Sequence, residues 1–362
     1  MKVEVLISHE MVLRRQHRTS RARGSRANRV TCLLLFSHHQ ARAAPFFYTC
    51  FLHLGSNLFH ANVDLLSPRA SPLCYNLCGL TSMADKIALI TGSSSGFGLL
   101  TSIELAKAGF RVVATMRDLG RRQRLDQAAA AAGLAEQLDI RSLDVTDFGA
   151  LPAFVDAVVH DYGHLDVLIN NAGFAVAGFA EDIKLEELRC QFETNFFGAV
   201  AMTKAALPTM RRQRSGHIIM VSSIAGLHGS VTVSSYSASK HALEGWSESL
   251  RLEINSLGIK VVLIEPGAFQ TDIWTRGAVM GANVAKETSP NLQRTLRMRD
   301  RVQALPKRDP IEVARVIASV AQDPNPKLRY VVGRDSKVQL ALKRILPWKW
   351  HEKLVANLLK ID

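Results

Sequence analysis

Apolar runs alternating with amphipathic segments predict an α/β fold, a single doubly wound parallel sheet with helices on both faces. Three observations lead there. A strand, a glycine-rich turn and a helix follow one another in DKIALITGSSSGFGLLTSIELAKAGFRVVATMRD. A second apolar strand, DVLINNAG, runs straight into a turn of asparagine and glycine. From there to the strand RYVVG, each strand pattern is followed by a helix pattern.

The first unit begins with Ile87 to Ile90, continues through Gly92, Gly96 and Gly98, and becomes helical. Leu99, Ile103, Ala106 and Phe110 recur at spacings of four, three and four, which is one face of a helix. Arg111 to Thr115 then closes a β-α-β unit. Glycines in such a turn let the backbone approach a pyrophosphate, whose charge meets the helix N-terminus. A lone glycine-rich turn can be an ordinary strand–helix loop, but placed between strand and helix it favours a dinucleotide-binding Rossmann fold. An alanine-rich helix (Arg121 to Ala132) and a short strand ending in Leu143-Asp144-Val145 come next. Asp144 can also be read as the cap of the helix VTDFGALPAFVDAVV. A long helical segment from Leu185 to Gln213 carries Asn195. Strand HIIMVSS, helix SASKHALEGWSESLRLEI, strand KVVLIE, helix PIEVARVIASVA and strand RYVVG complete the series.

The chemistry centres on SSIAGLHGSVTVSSYSASK, residues 222–240. Tyr236 and Lys240 stand four apart at a helix start, so they share a face. An ammonium beside a phenol favours the phenolate and draws its pKa down from near 10. Ser223, on the turn after an apolar strand, is placed to hold a reacting oxygen against that phenol. Alone, a Tyr-x-x-x-Lys pattern is more often a half-buried tyrosine beside a solvated lysine. The dinucleotide turn upstream changes that balance.

From about Met83 to its C-terminus the chain resembles the short-chain dehydrogenase/reductase family. The motifs that carry the likeness stand in the family's order: Thr91-Gly92-x-x-x-Gly96-x-Gly98, Asn170-Asn171-Ala172-Gly173, Ser223 with Tyr236-x-x-x-Lys240, and Pro266-Gly267. Asn195 matches the family's fourth catalytic residue, and Phe97 stands where isoleucine is commoner. The resemblance implies a catalytic set of Asn195, Ser223, Tyr236 and Lys240. In it Lys240 also holds the nicotinamide ribose, and Asn195 anchors a water linking Lys240 to solvent. It puts Asp144 and Val145 beside adenine, and makes Asn171 a brace between the central strands. Ala172, Gly173, Pro266, Gly267, Phe269 and Thr271 complete the cofactor contacts. No metal is implied.

NADP(H) is expected over NAD(H). In VVATMRD, Met116 occupies the place where an NAD-preferring fold carries an acid, and Arg117 follows. A guanidinium binds a 2′-phosphate bidentately, and Ser94 in the glycine turn is placed to help. The competing reading makes Arg117 a solvated loop residue, with Asp118 doing the acid's work from two positions later.

Residues 267–309 show no strand pattern and correspond to the family's variable substrate lid; Phe269, Ile273, Trp274, Val279 and Met280 there suggest a lipophilic alcohol or ketone. The basic run LQRTLRMRDRVQALPKR reads as a solvated helix face. The ending resembles the tails of the steroid- and retinol-dehydrogenase-like branch. Beyond Pro347, Trp350, Leu354 and Leu358 recur every fourth residue, with Val355 and Leu359 beside them. Packing of that face on the enzyme's core or a second subunit is the favoured reading, and peripheral contact with a membrane surface the other. A dimer or tetramer is compatible with either.

The formal charge of +13 invites a nucleic-acid reading, but residues 1–82 hold ten Lys/Arg against three Asp/Glu and so carry more than half the excess. No nucleic-acid partner is expected. This leader is Arg-rich, has no acid between Glu10 and Asp64, and its clusters TCLLLF and APFFYTCFLHL show no sustained period. Two readings stand: translation starts at Met83, which is preferred, or the leader is a targeting segment. Residues 83–362 then form the catalytic domain. Four of five cysteines fall in the leader, leaving Cys190 and pointing to a reduced, cytoplasmic enzyme. A non-catalytic dinucleotide-sensing regulator or scaffold on the same fold is the alternative. Such proteins typically lose the tyrosine or lysine, and this chain keeps both.

Overall fold

The computed structural model describes residues 85–271, 278–284, 289–304 and 307–359, and the backbone of 9–11, 30–34, 47–54 and 57–64. The chain divides into two compact units, Met1–Ala84 and Asp85–Asp362. The first holds strands β1 (His9–Met11), β2 (Val30–Leu34), β3 (Phe47–Leu54) and β4 (Asn57–Asp64), each antiparallel to the next. The clusters read as patternless thus supply strands. Their pairing is set by a tight β3–β4 register from Phe47↔Asp64 to Leu54↔Asn57, which local periodicity does not encode.

The second unit opens with β5 (Lys86–Ile90), α1 (Gly96–Lys107) and β6 (Phe110–Met116). There follow α2 (Gln123–Ala132), β7 (Leu138–Ser142), α3 (Leu151–Tyr162), β8 (Val167–Asn170) and β9 (Ala175–Ala177). The segment expected as one long helix is α4 (Leu185–Phe192), a π-helical turn (Glu193–Gly198) and α5 (Ala199–Gln213). Then come β10 (Gly216–Val221), α6 (Ser234–Ile254), β11 (Ile259–Pro266), β12 (Ala278–Met280), α7 (Leu292–Ala304), α8 (Ile311–Val320) and β13 (Arg329–Val332). The tail is α9 (Arg334–Ile345) and α10 (Trp348–Leu359).

Seven strands make one parallel sheet in the order β13-β11-β10-β8-β5-β6-β7. Successive side chains of a strand point to opposite faces, and β5 shows the consequence. Ala88 and Ile90 join a core with Leu99, Ile103, Leu125 and Ile317 from α1, α2 and α8. Ile87 and Leu89 join the opposite core with Val155, Met202 and Leu250 from α3, α5 and α6. Burial on both faces is why the strands read as unbroken apolar runs.

Strand order reverses between β5 and β8: the chain leaves β5 for β6 on one side and reaches β8 on the other. Helices departing to opposite faces open a crevice there at the carboxyl ends of the strands. One expectation is corrected in the lid. Residues 278–280 form a strand, β12, pairing parallel with β9 from Ala278↔Ala175 to Met280↔Ala177. Three residues are too few to display a period. Ile273 and Trp274 lie outside the described residues.

Candidate active site

A cleft of about 570 Å³ opens at the reversal point. Gly92, Ser94, Gly96 and Phe97 form one wall, Asn171, Ala172 and Gly173 the floor, and Ser223, Tyr236 and Lys240 one end. Arg117, Asp144 and Val145 also line it, and Pro266, Gly267, Phe269 and Thr271 complete the rim. All but two of the residues expected from sequence meet here; Gly98 and Asn195 do not line the cleft.

The glycine turn is shaped by its floor. Gly92 has φ +74°, and a Cβ there would sit 2.9 Å from Ala172 Cα. The Asn171 side-chain amide donates to the carbonyls of Thr91 (2.8 Å) and Gly92 (3.0 Å), bracing β5 against β8. Thr91 Oγ1 accepts the amides of Asn171 and Ala172, both at 3.0 Å. Gly98 is a packing position, since a Cβ would come within 2.2 Å of the Gly92 carbonyl oxygen. It seats α1 under the turn.

Phe97 meets Phe269 edge-on, with ring centroids 5.8 Å apart. Phe269 is buried, so it forms the inner wall of the rim and not a mobile part of the lid.

At the end of β6, Met116 is buried and Arg117 faces the cleft, where Arg121 joins it across a 3-10 turn (Leu119–Arg121). Asp118 Oδ1 accepts the Gly120 amide at 2.8 Å, which commits this carboxylate to capping that turn. Burial tends to raise the Asp144 carboxyl. Hydrogen bonds from Thr146 N (2.9 Å) and Oγ1 (2.7 Å), with the Arg117 charge, outweigh it and hold the group below the usual range. Asp144 thus caps its own loop, and α3 starts seven residues later.

In the reacting end, Tyr236 and Lys240 are almost wholly buried. Lys240 Nζ lies 5.7 Å from the Tyr236 ring centroid and donates to the Val221 carbonyl at 2.8 Å. Burial pushes the phenol up to about 12, and a hydrogen bond with Ser223 opposes it. Burial likewise pulls Lys240 down to about 8, opposed by the charge of Glu244. A lowered Tyr236 pKa, expected from Lys240, is therefore not the net outcome in this structure. The ammonium is aimed at a backbone carbonyl, and desolvation of the phenol is the larger effect. Ser223 Oγ accepts the Ala225 amide at 3.1 Å and caps a 3-10 turn (Ile224–Gly226), which fixes its direction.

Asn195 sits in the π-helical turn with its amide fully engaged. Oδ1 accepts Phe174 N (3.0 Å); Nδ2 donates to Phe174 O (2.9 Å) and Ser239 Oγ (3.2 Å). It ties Phe174 to Ser239 of α6, and its side chain does not reach the cleft. Sequence reasoning missed Arg121, Ser95, Phe174, Thr194 and Ser222, which also line the site. Arg121 could have been found from its place four residues after Arg117; the others carry no pattern.

A family model described as short chain dehydrogenase matches residues 86–278. The uncharacterized oxidoreductase YusZ of Bacillus subtilis is 42% identical over 276 residues, 75% of this chain and 98% of that protein. Human retinol dehydrogenase 8 is 42% identical over 192 residues, 52% of this chain; the match spans 60% of that protein's length. A 3-ketodihydrosphingosine reductase of Bacteroides thetaiotaomicron is 36% identical over 256 residues, 69% of this chain and 89% of the other. A solved short-chain dehydrogenase from Streptomyces avermitilis superposes with TM-score 0.63 at 34% identity, covering 76% of this chain and 96% of its own. Two further structures carry cofactor. ElxO with NADP has TM-score 0.56 at 26% identity (68% and 96% covered). A Burkholderia phymatum short chain dehydrogenase/reductase with NAD has TM-score 0.63 at 25% identity (72% and 93% covered).

Proposed function

Because the chain belongs to the short-chain dehydrogenase family, we propose that residues 83–362 form an NADP(H)-dependent oxidoreductase that interconverts an alcohol and a carbonyl. The observation carrying this reading is that Ser223, Tyr236 and Lys240 open onto the same cleft as Gly92, Gly96 and the Asn171–Gly173 turn. Left-handed backbone at Gly92 and Gly96 fits a turn that brings peptide N–H groups against a pyrophosphate.

Preference for NADP(H) is supported by two guanidiniums, Arg117 and Arg121, on the adenine side. Asp118 also lines the cleft, with its Oδ1 accepting the Gly120 amide of its own turn. Asp144 and Val145 would flank adenine, and Pro266, Gly267, Phe269 and Thr271 the nicotinamide end. Bound nicotinamide supplies the hydride in the reducing direction. Tyr236, kept neutral by burial, then gives its hydroxyl proton to the carbonyl oxygen. The Ser223 hydroxyl holds that oxygen, and the Lys240 ammonium favours the phenolate left behind. The bonds made by Asn195 support a positioning role in place of the water anchor.

A lipophilic substrate is supported by apolar lining from Phe174, Phe269 and Val279, and by relatives named for retinol and a ketodihydrosphingosine. Among the described residues no helix is long and apolar enough to cross a membrane. The tail is read as a peripheral membrane contact of a cytoplasmic enzyme. Trp350 is 67% and Ile345 78% exposed, so neither packs on the chain's own core, and Lys349, Lys353 and Arg344 flank them. The test is NADPH oxidation, followed by absorbance, with long-chain ketones, steroids and retinoid aldehydes. Turnover that survives intact in Tyr236→Phe would sink the assignment.

A further inference from the structure

Behind the catalytic lysine lies a group of charges for which hydride transfer has no evident use. Glu265 stands directly before Pro266 and is fully buried; Glu244 lies one turn beyond Lys240 on α6 and is 4% exposed. One guanidinium serves both. Arg329, on β13, reaches Glu265 Oε1 (3.0 Å) and Glu244 Oε2 (3.1 Å), then Glu248 Oε1 (2.8 Å) towards the surface. Arg344 adds a positive charge facing Glu265.

Two buried carboxylates against one guanidinium are costly if both are ionised. Their surroundings decide which takes the proton. Burial raises the Glu244 carboxyl too, but its Oε2 accepts an N–H of Arg329 (3.2 Å), which favours the charged form, while its Oε1 has no aligned donor among the described residues. Among the described residues, neither Glu265 oxygen has an aligned donor. Burial first, and the Glu244 charge second, push Glu265 up to about 8. Its contact with Glu244 is a hydrogen bond only when one of the pair carries a proton.

Lys240 needs such a neighbour. Its Nζ is given to a neutral carbonyl, in surroundings where burial favours the uncharged amine. Glu244, four residues on, shares its helix face. We propose that Glu244, Glu265 and Arg329 are positioning residues: a buried, proton-sharing charge unit in which Glu265 carries the proton and the Glu244 carboxylate keeps Lys240 an ammonium. Ser222 lines the cleft, and its Oγ and the Glu244 side chain both crowd Gly226, which brings this unit to the edge of the cleft. The inference rests on the role given to Lys240 above.

Its test needs no substrate. Carbon-13 NMR of protein labelled at lysine Cε reports the Lys240 titration directly, with the resonance assigned by its loss in Lys240→Arg. Glu244→Gln should lower the Lys240 midpoint by about one pH unit, a tenfold loss of proton affinity. Glu244→Asp, which keeps the charge one methylene further away, should give a smaller fall, and it carries the test if the glutamine variant does not fold. Glu265→Gln imitates the protonated acid and should leave the midpoint in place. An unmoved midpoint in both Glu244 variants overturns the proposal. So does a fall in Glu265→Gln as large as that in Glu244→Gln, since it would put the charge on the wrong carboxyl. Failure to reduce any carbonyl would instead count against the function and leave this titration standing.

Discussion

Lys240 Nζ donates to the Val221 carbonyl at 2.8 Å, although Tyr236 lies one helical turn away. Charge on this buried lysine therefore depends on pH in an accessible range. Its folded value, about 8, lies below the ordinary 10.5, so the unfolded chain binds this proton more tightly. The burial cost is full below pH 8 and fades as pH rises towards 10.5. Lys240 should thus contribute a rise in stability across that window. Lys240→Met should remove this contribution, as read from urea midpoints at pH 8 and 10.

Tyr236→Phe should abolish turnover and leave NADPH affinity nearly unchanged, because the hydroxyl donates a proton and adds little to cofactor contact. Lys240→Ala should damage both. Fluorescence titration of NADPH beside steady-state rates separates the two outcomes. Residual turnover above a few per cent in the phenylalanine variant would remove Tyr236 from its role.

Arg117 and Arg121 are expected to share the 2′-phosphate. Losing either should weaken NADPH by about 1.5–3 kcal/mol, on the order of tenfold to a hundredfold, and barely affect NADH. Met116→Asp should move preference towards NADH. Equal losses with both cofactors would make the arginines structural.

Gly98→Ala places a Cβ 2.2 Å from the Gly92 carbonyl oxygen. Either α1 or the turn must shift. NADPH affinity should fall at least tenfold, a loss of about 1.4 kcal/mol or more. Calorimetric titration checks it.

Asn195→Ala strands the Phe174 peptide and loosens α6. It should destabilise the protein by about 2 kcal/mol, within the cost of a buried unpaired polar group. Thermal denaturation gives the shift, and kcat should fall more than KM rises.

Much of this was legible in advance, for identifiable reasons. The strands around Ile87–Ile90 and DVLINNAG announce themselves because both faces are buried, and Tyr236–Lys240 because one helical turn separates them. Asn195 could be named but not placed: a π-helical turn changes the direction of every side chain after it, and no residue in ETNFFG encodes the extra residue. Arg329 and Glu265 stay hidden because their pairing joins two strands 64 residues apart, with no local pattern. The burial that pushes the Tyr236 phenol up stays hidden for the same kind of reason, since burial is a property of the packed whole.

Truncation at Leu346 in a chain starting at Met83 addresses the tail. With Trp350 and Leu354 exposed, loss of α10 should cost little in melting temperature while ending co-sedimentation with anionic liposomes. A large fall in melting temperature would mean that α10 is part of the fold. Absence of liposome binding by the full-length chain at low salt would remove the membrane contact.

The pairing of β12 with β9 ties down the segment that follows it. Gly281 N donates to the Ala177 carbonyl (2.9 Å), Ala282 N to Glu187 (2.8 Å) and Ser289 to Asp182 (2.8 Å), so this part of the lid is sewn along its landing strip. That strip begins at Phe174, the residue whose peptide Asn195 clamps to the catalytic helix. A lid fastened this way does not swing like a flap on a free hinge. Displacing it would mean breaking those three bonds, along with the β9–β12 pairing.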